Sequence, residues 1–193
     1  MNTRRERRSL RVVAFILALT TLGGVAAAQA APNEAQVKAA FVFNFLKFVE
    51  WPDSAFRTAT DSLVVGIVGS GATAEATARL LAGKHVQGHA IAIRRLGDDG
   101  QRPEVHALFF GTQDIAGTQR IVDSLARTPV LSIGESAGFA QRGGVIELLV
   151  EAHKIRFEIN AHAAALAGLR ISSKLLALAT VVLESKLEPG APK

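Results

Sequence analysis

Leu63-Val-Val-Gly-Ile-Val-Gly69-Ser-Gly71 is an unbroken apolar run closed by a glycine turn, and alanine-rich residues 72–81 follow it. A strand without polar interruption is buried on both faces, as in a parallel sheet covered by helices. The turn leads into a helix over 72–81 that stops at Gly83. The same alternation repeats downstream. Residues 84–88 read as a short edge strand or turn, 89–96 and 105–111 as strands, and 115–126 as a helix with Asp114 as N-cap. Thr128-Pro129 breaks that helix, because proline restricts the residue before it. Residues 130–133 then form a strand. A glycine-dense loop over 134–144 follows. Residues 145–150 and 154–159, around Glu151-Ala-His153, read as an antiparallel hairpin. The pattern predicts a three-layer α/β sandwich, with a mainly parallel central sheet, an antiparallel edge hairpin and helices on both faces.

Upstream stands Lys38-Ala-Ala-Phe-Val-Phe-Asn-Phe-Leu-Lys-Phe-Val-Glu-Trp-Pro52, which holds four of the ten phenylalanines and the only tryptophan. It predicts a helix opened by Pro32 and Asn33 and running to about Glu50, with a polar connector after Pro52. Val37, Phe41, Val42, Phe45, Leu46, Phe48 and Val49 fill one broad apolar arc. Phe43 falls on the opposite side, between Lys47 and Glu50. At the other end, Asn160 caps a short helix over 161–167 and Gly168 stops it. Ser172 caps a last helix, with Ile171 and Leu176 as its hydrophobic staple. Leu175, Leu176, Leu178, Ala179, Val182 and Leu183 share one face of that helix, and the tail after Leu187 frays.

Residues 1–30 read as a secretory signal peptide. Arg4, Arg5, Arg7, Arg8 and Arg11 precede the apolar run 12–19, which is shorter than a membrane span, and Ala28-Gln29-Ala30 is a cleavage site cut after Ala30. The remaining residues, 31–193, form a single domain. The leader holds five of the 22 Lys and Arg and one of the 17 Asp and Glu, so the formal net charge falls from +5 to +1 on its removal. That near-neutral balance argues against nucleic acid as a partner. Cysteine is absent, which excludes thiol nucleophiles, thiolate metal sites and a lipoprotein anchor.

Gly134-Glu-Ser-Ala-Gly138 matches the nucleophile elbow G-x-S-x-G. Gly138, Gly143 and Gly144 crowd the place where a helix must follow. Downstream, only the hairpin acids Glu147, Glu151 and Glu158 and the bases His153 and His162 could complete a triad. The hydrolase reading therefore predicts a turnover dependent on Ser136 and is disfavoured. Gly66-Ile-Val-Gly-Ser-Gly71 lacks the lysine of a phosphate loop and reads as a plain strand–helix turn. The five histidines, at 85, 89, 106, 153 and 162, are scattered, and neither a metal nor a cofactor is expected. His106, within a strand, reads as a hydrogen-bonded structural residue. Asp98 and Asp99 read as solvated loop acids, and no catalytic set is assembled.

Three groups of residues carry a resemblance. The first is Lys38-Ala-Ala-Phe41, Asn44-Phe45, Lys47-Phe48 and Glu50-Trp-Pro52. The second is Gly143-Gly-Val-Ile146. The third is Phe157-Glu-Ile-Asn160 with Gly168-Leu-Arg-Ile-Ser-Ser173, Leu175-Leu176, Leu178 and Ala179. Together they resemble the YfiR/HmsC family of periplasmic proteins over about 34–187. The resemblance implies a small exported α/β domain in the periplasm, often a homodimer, without enzymatic activity. It implies repression of an inner-membrane diguanylate cyclase by binding its periplasmic sensor region, which lowers cyclic di-GMP synthesis and biofilm formation. The cysteines that matter to the described repressor are missing here, so a thiol switch is not carried over. The contact surface expected for that partner is Phe43, Lys47, Glu50 and Trp51, since exposed aromatics contribute large contact area. The alternative reading is a periplasmic small-molecule-binding protein serving a transporter or sensor. Its pocket would lie at the carboxyl ends of the strands, bounded by the turns at Gly69–Gly71, Gly111-Thr112 and 134–136.

Overall fold

The computed structural model of the chain describes residues 32–58, 60–97 and 104–184. The expected leader over 1–30, the acids Asp98 and Asp99, and the tail beyond Leu187 lie outside them. In chain order the elements are helix α1 (Glu34–Phe48), strand β1 (Val49–Glu50), a 3₁₀ turn (Asp53–Ala55), β2 (Leu63–Val68), α2 (Ala72–Leu81), β3 (His85–Val86), β4 (His89–Leu96) and β5 (Ala107–Phe110). Then come α3 (Ile115–Leu125), β6 (Leu131–Gly134), β7 (Ile146–Glu151), β8 (Lys154–Asn160), α4 (Ala161–Leu166), β9 (Arg170–Ile171), α5 (Ser173–Leu176) and β10 (Val181–Leu183).

The main sheet runs β10-β8-β7-β6-β5-β2-β4-β3. Strands β4, β2, β5, β6 and β7 are mutually parallel, and β7 and β8 form the antiparallel hairpin. Alternating side chains divide the core into two layers. On one face Val65, Ile67, Phe109, Ile133 and Leu148 pack with Phe45 and Leu46 of α1 and Leu81 of α2. On the other, Val68, Leu108 and Phe110 pack with Val122 and Leu125 of α3 and with Phe139 from the loop after β6. The three-layer α/β sandwich follows directly from the unbroken apolar strands.

The helix boundaries follow local chemistry. The Asn33 side-chain Oδ1 accepts the Gln36 N–H, and the Gln36 side chain accepts the Asn33 N–H, which closes a capping box on α1. Asp114, Asn160 and Ser172 cap α3, α4 and α5 through the backbone N–H groups of Gly117, Ala163 and Leu175. Gly168, at φ +70°, supplies the left-handed stop after α4.

Two boundaries differ from the sequence reading. Helix α1 ends at Phe48, and Val49–Glu50 instead pairs antiparallel with Ile171–Arg170. The expected last helix stops after one turn. Val181–Leu183 leaves it and adds a parallel strand outside β8. The helical spacing of Leu175 to Leu183 is real, but β8 offers an unpaired backbone edge. The β-branched pair Val181-Val182 suits that pleated position. Exposure of Leu178, at 70 %, follows from the loss of the helical face.

Candidate functional site

Helix α1 is held on its inner side by an aromatic cluster. Phe45 meets Phe157 of β8 edge-on at 5.0 Å between ring centroids, and Phe41 lies 6.1 Å from Phe45 and 5.9 Å from Phe157. Such tilted contacts suit the ring quadrupoles. The outer edge is different. Phe43 is half-buried, packed against the margin of the core. The Lys47 ammonium stands 5.6 Å from the Phe43 centroid and 5.9 Å from that of Phe48. A cation over two aromatic faces presents charge and apolar area together at the surface.

The two remaining residues expected at this surface are placed unequally. Glu50 is exposed, and its carboxylate accepts from the Arg170 guanidinium at 2.6 Å. Both partners are largely in solvent, so this ion pair contributes little to stability. It does sit where β1 meets β9, so the two ends of the folded chain share one surface. Trp51 is buried, at 9 % exposure, and its indole Nε1–H donates to the His106 carbonyl at 2.8 Å. It plugs the end of α1 against β5. The structure thus pairs Phe43 with Lys47 on α1, sets Glu50 beyond the helix end in β1, and buries Trp51 as an anchor.

His106 extends that anchor. Its Nδ1 accepts the Val64 N–H at 2.9 Å, so the ring proton lies on Nε2, which meets the Ala55 carbonyl at 3.0 Å. Burial lowers its pKa below the ordinary 6.5, against a smaller raising effect of the Ala55 hydrogen bond. Phe56 lies stacked between His106 at 4.4 Å and His89 at 4.0 Å. His106 thus sits one residue before β5, not within the strand, and is hydrogen-bonded through both ring nitrogens. Among the described residues, no cluster of three or more His, Cys, Asp or Glu is placed to hold a metal.

The carboxyl ends of the strands are occupied by the protein itself. Gly69 has φ +91°, and a Cβ there would come within 2.5 Å of the Gly111 carbonyl oxygen, so these two turns close on each other. Glu135, just past β6, accepts from the Thr73 hydroxyl and from the Lys38 ammonium, both at 3.1 Å. Lys38 also reaches Glu34 at 2.9 Å. Burial acts to lower the Lys38 pKa, but the hydrogen bonds and charges of Glu34 and Glu135 outweigh it, and the net shift is upward from 10.5. Glu135 thus places a carboxylate beside the first turn of α2, whose N-cap, Gly71, provides no side-chain acceptor.

Ser136 is buried, at 5 % exposure, and its Oγ accepts from the Arg142 guanidinium at 3.3 Å. His153 lies at the exposed hairpin tip and His162 is exposed on α4. Neither histidine hydrogen-bonds Ser136 among the described residues. Glu147, one of the hairpin acids that the sequence offered to a triad, is buried at 5 % exposure. Its two carboxylate oxygens accept the Gly138 and Ala140 N–H groups at 2.9 and 3.0 Å. Asn160 adds a third tie, donating to the Ala140 carbonyl at 2.8 Å. The glycine-dense loop is therefore a clamped structural element, and the only trace of this in the sequence is the loop's need for acceptors.

Among solved structures, the fold resembles the ABC domain in complex with L-Trp from Streptococcus pneumonia, at TM-score 0.50 and 11 % identity. That likeness covers 77 % of this chain and 60 % of the other. A conserved domain protein from Vibrio cholerae O1 biovar El Tor matches at TM-score 0.52 and 13 % identity, with the same coverage. The chain thus spans about 60 % of either neighbour, and at these identities the likeness concerns the fold. No curated protein matches the chain. No helix among the described residues is long and apolar enough to cross a membrane. The YfiR/HmsC-like family profile matches residues 35–180, from the first turn of α1 to the residue before β10, and the chain belongs to that family.

Proposed function

We propose that the protein is a periplasmic repressor that binds the sensor region of an inner-membrane diguanylate cyclase and lowers cyclic di-GMP synthesis. Residues 1–30 act as its export signal, cleaved after Ala30, and 31–193 form the single working domain. The reading draws on family membership for the partner and on one observation for the surface. That observation is the outer edge of α1, where Lys47 lies over the half-buried rings of Phe43 and Phe48. Aromatic and cationic side chains at one place suit a protein interface with an acidic or aromatic counterpart. Glu50, beside Arg170, adds a polar rim, and Trp51 fixes the end of the helix from below. Binding is stoichiometric and does not require turnover.

The reading is tested in cells that contain the cyclase. Expression of the wild-type chain should lower cyclic di-GMP, and expression of the F43A/K47A double variant, exported at the same level, should not. Equal repression by both would place the contact elsewhere.

A further inference from the structure

A second site lies between α3 and α4, where side chains of both core layers meet. It is a partly open cavity of about 170 Å³ walled by Val122 and Leu125 of α3, Val145, and Ala163 of α4. Its size is close to that of an engineered protein cavity of about 150 Å³ that accepts benzene. Two polar side chains reach it from the sheet, and that of Asn160 in β8 is already spent on the Ala140 carbonyl and the Ala163 N–H. Ser132 of β6 is buried, at 4 % exposure, and lines the cavity. Its Oγ accepts the Val145 N–H at 3.0 Å. No described residue accepts the Ser132 hydroxyl proton, so a buried donor stands free beside an apolar space. The Ser132 oxygen is already satisfied by Val145, and a ligand acceptor would add the donor bond that the hydroxyl does not make within the described residues. Arg127, held at φ +67°, and His162 also line the space, and both are exposed. That setting disfavours organic cations.

We propose that this cavity binds a small, uncharged, mainly apolar molecule of benzene-to-indole size that bears one hydrogen-bond acceptor. The apolar body fills the space between α3 and α4, and the acceptor takes the Ser132 hydroxyl proton. The site is separate from the α1 surface and does not depend on it.

The test uses the full chain and two probes of matched size, acetophenone, which carries a carbonyl acceptor, and ethylbenzene, which does not. Binding is followed by ligand-observed NMR titration. Acetophenone should bind the wild type about fivefold more tightly than ethylbenzene, the worth of one neutral hydrogen bond. Ser132→Ala should remove that preference by weakening acetophenone alone. Ala163→Phe, which fills the cavity from α4, should abolish both while the circular dichroism spectrum stays unchanged. Absence of binding by either probe up to its solubility would overturn the proposal. So would equal binding of both probes to the wild type, or undiminished binding to a folded Ala163→Phe variant.

Discussion

Replacing Glu147 by alanine should cost the protein about 3 kcal/mol, a large share of what a domain of this size has to lose. Glu147 is buried and accepts two backbone N–H groups, from Gly138 and Ala140. A hydrogen bond to a charged acceptor contributes roughly 1.5–3 kcal/mol, so two give about 3–6. Removing the carboxylate also relieves its desolvation, which offsets part of that loss. The two N–H groups are then left without an acceptor in a loop that also positions Phe139, a fully buried member of the α3-side core. In a chain of this length, about 3 kcal/mol corresponds to a fall in Tm of roughly 6–12 °C. The assay is urea denaturation followed by circular dichroism, with a thermal melt alongside. Glu147→Gln keeps one acceptor and should fall about halfway. A Glu147→Ala variant within about 0.5 kcal/mol of the wild type would refute the reasoning, because it would mean that the loop does not need these bonds.

Three further outcomes follow from the geometry. His106 has a folded-state pKa depressed below 6.5, so the folded protein takes up its proton less readily than the unfolded chain. The associated stability is complete above about pH 6.5 and is lost as pH falls from there through the folded-state value. Urea midpoints measured between pH 7.5 and 5 should decline, and His106→Gln should flatten that decline. Trp51→Phe removes the indole donor to the His106 carbonyl and should cost about 1–2 kcal/mol by denaturant titration. Glu135→Ala leaves Lys38 with Glu34 as its remaining ion-pair partner and exposes the start of α2, for an expected loss of about 1–2 kcal/mol. The loss should persist in 0.5 M NaCl, because this pair is mostly shielded from solvent.

The legible part of this fold was the part written in local patterns. The unbroken run Leu63–Val68 announced a strand buried on both faces, and the structure places it in the middle of the parallel sheet. Asn33, Asp114, Asn160 and Ser172 each cap a helix, because a side-chain oxygen and a nearby N–H need only a few residues of context. What failed depended on partners remote in sequence. Val181–Leu183 has helical spacing with Leu175 and Leu178, and only the free edge of β8 makes it a strand. Glu147 alternates like any half-exposed hairpin residue, and its burial is decided by a loop folding back on it. The Lys38–Glu135 pair joins residues 97 positions apart, which no periodicity reveals. At the α1 surface, the misplaced Phe43 was visible from the helical wheel. Its cover by Lys47 was implicit in the four-residue spacing. Trp51 next to Pro52 reads either as a plug for the helix end or as a surface contact, and its burial and its bond to the His106 carbonyl make it the plug.

The central claim, that the outer edge of α1 holds a cyclase sensor, is tested most directly by a binding constant. The purified mature chain and its F43A/K47A variant would be titrated by calorimetry into the periplasmic sensor region of a diguanylate cyclase from the same cells. Melting curves would verify that the variant is folded. Truncating the central aromatic of an interface costs about 2 kcal/mol or more, so the variant should bind at least about 30-fold more weakly. A folded variant with an unchanged Kd would contradict the account.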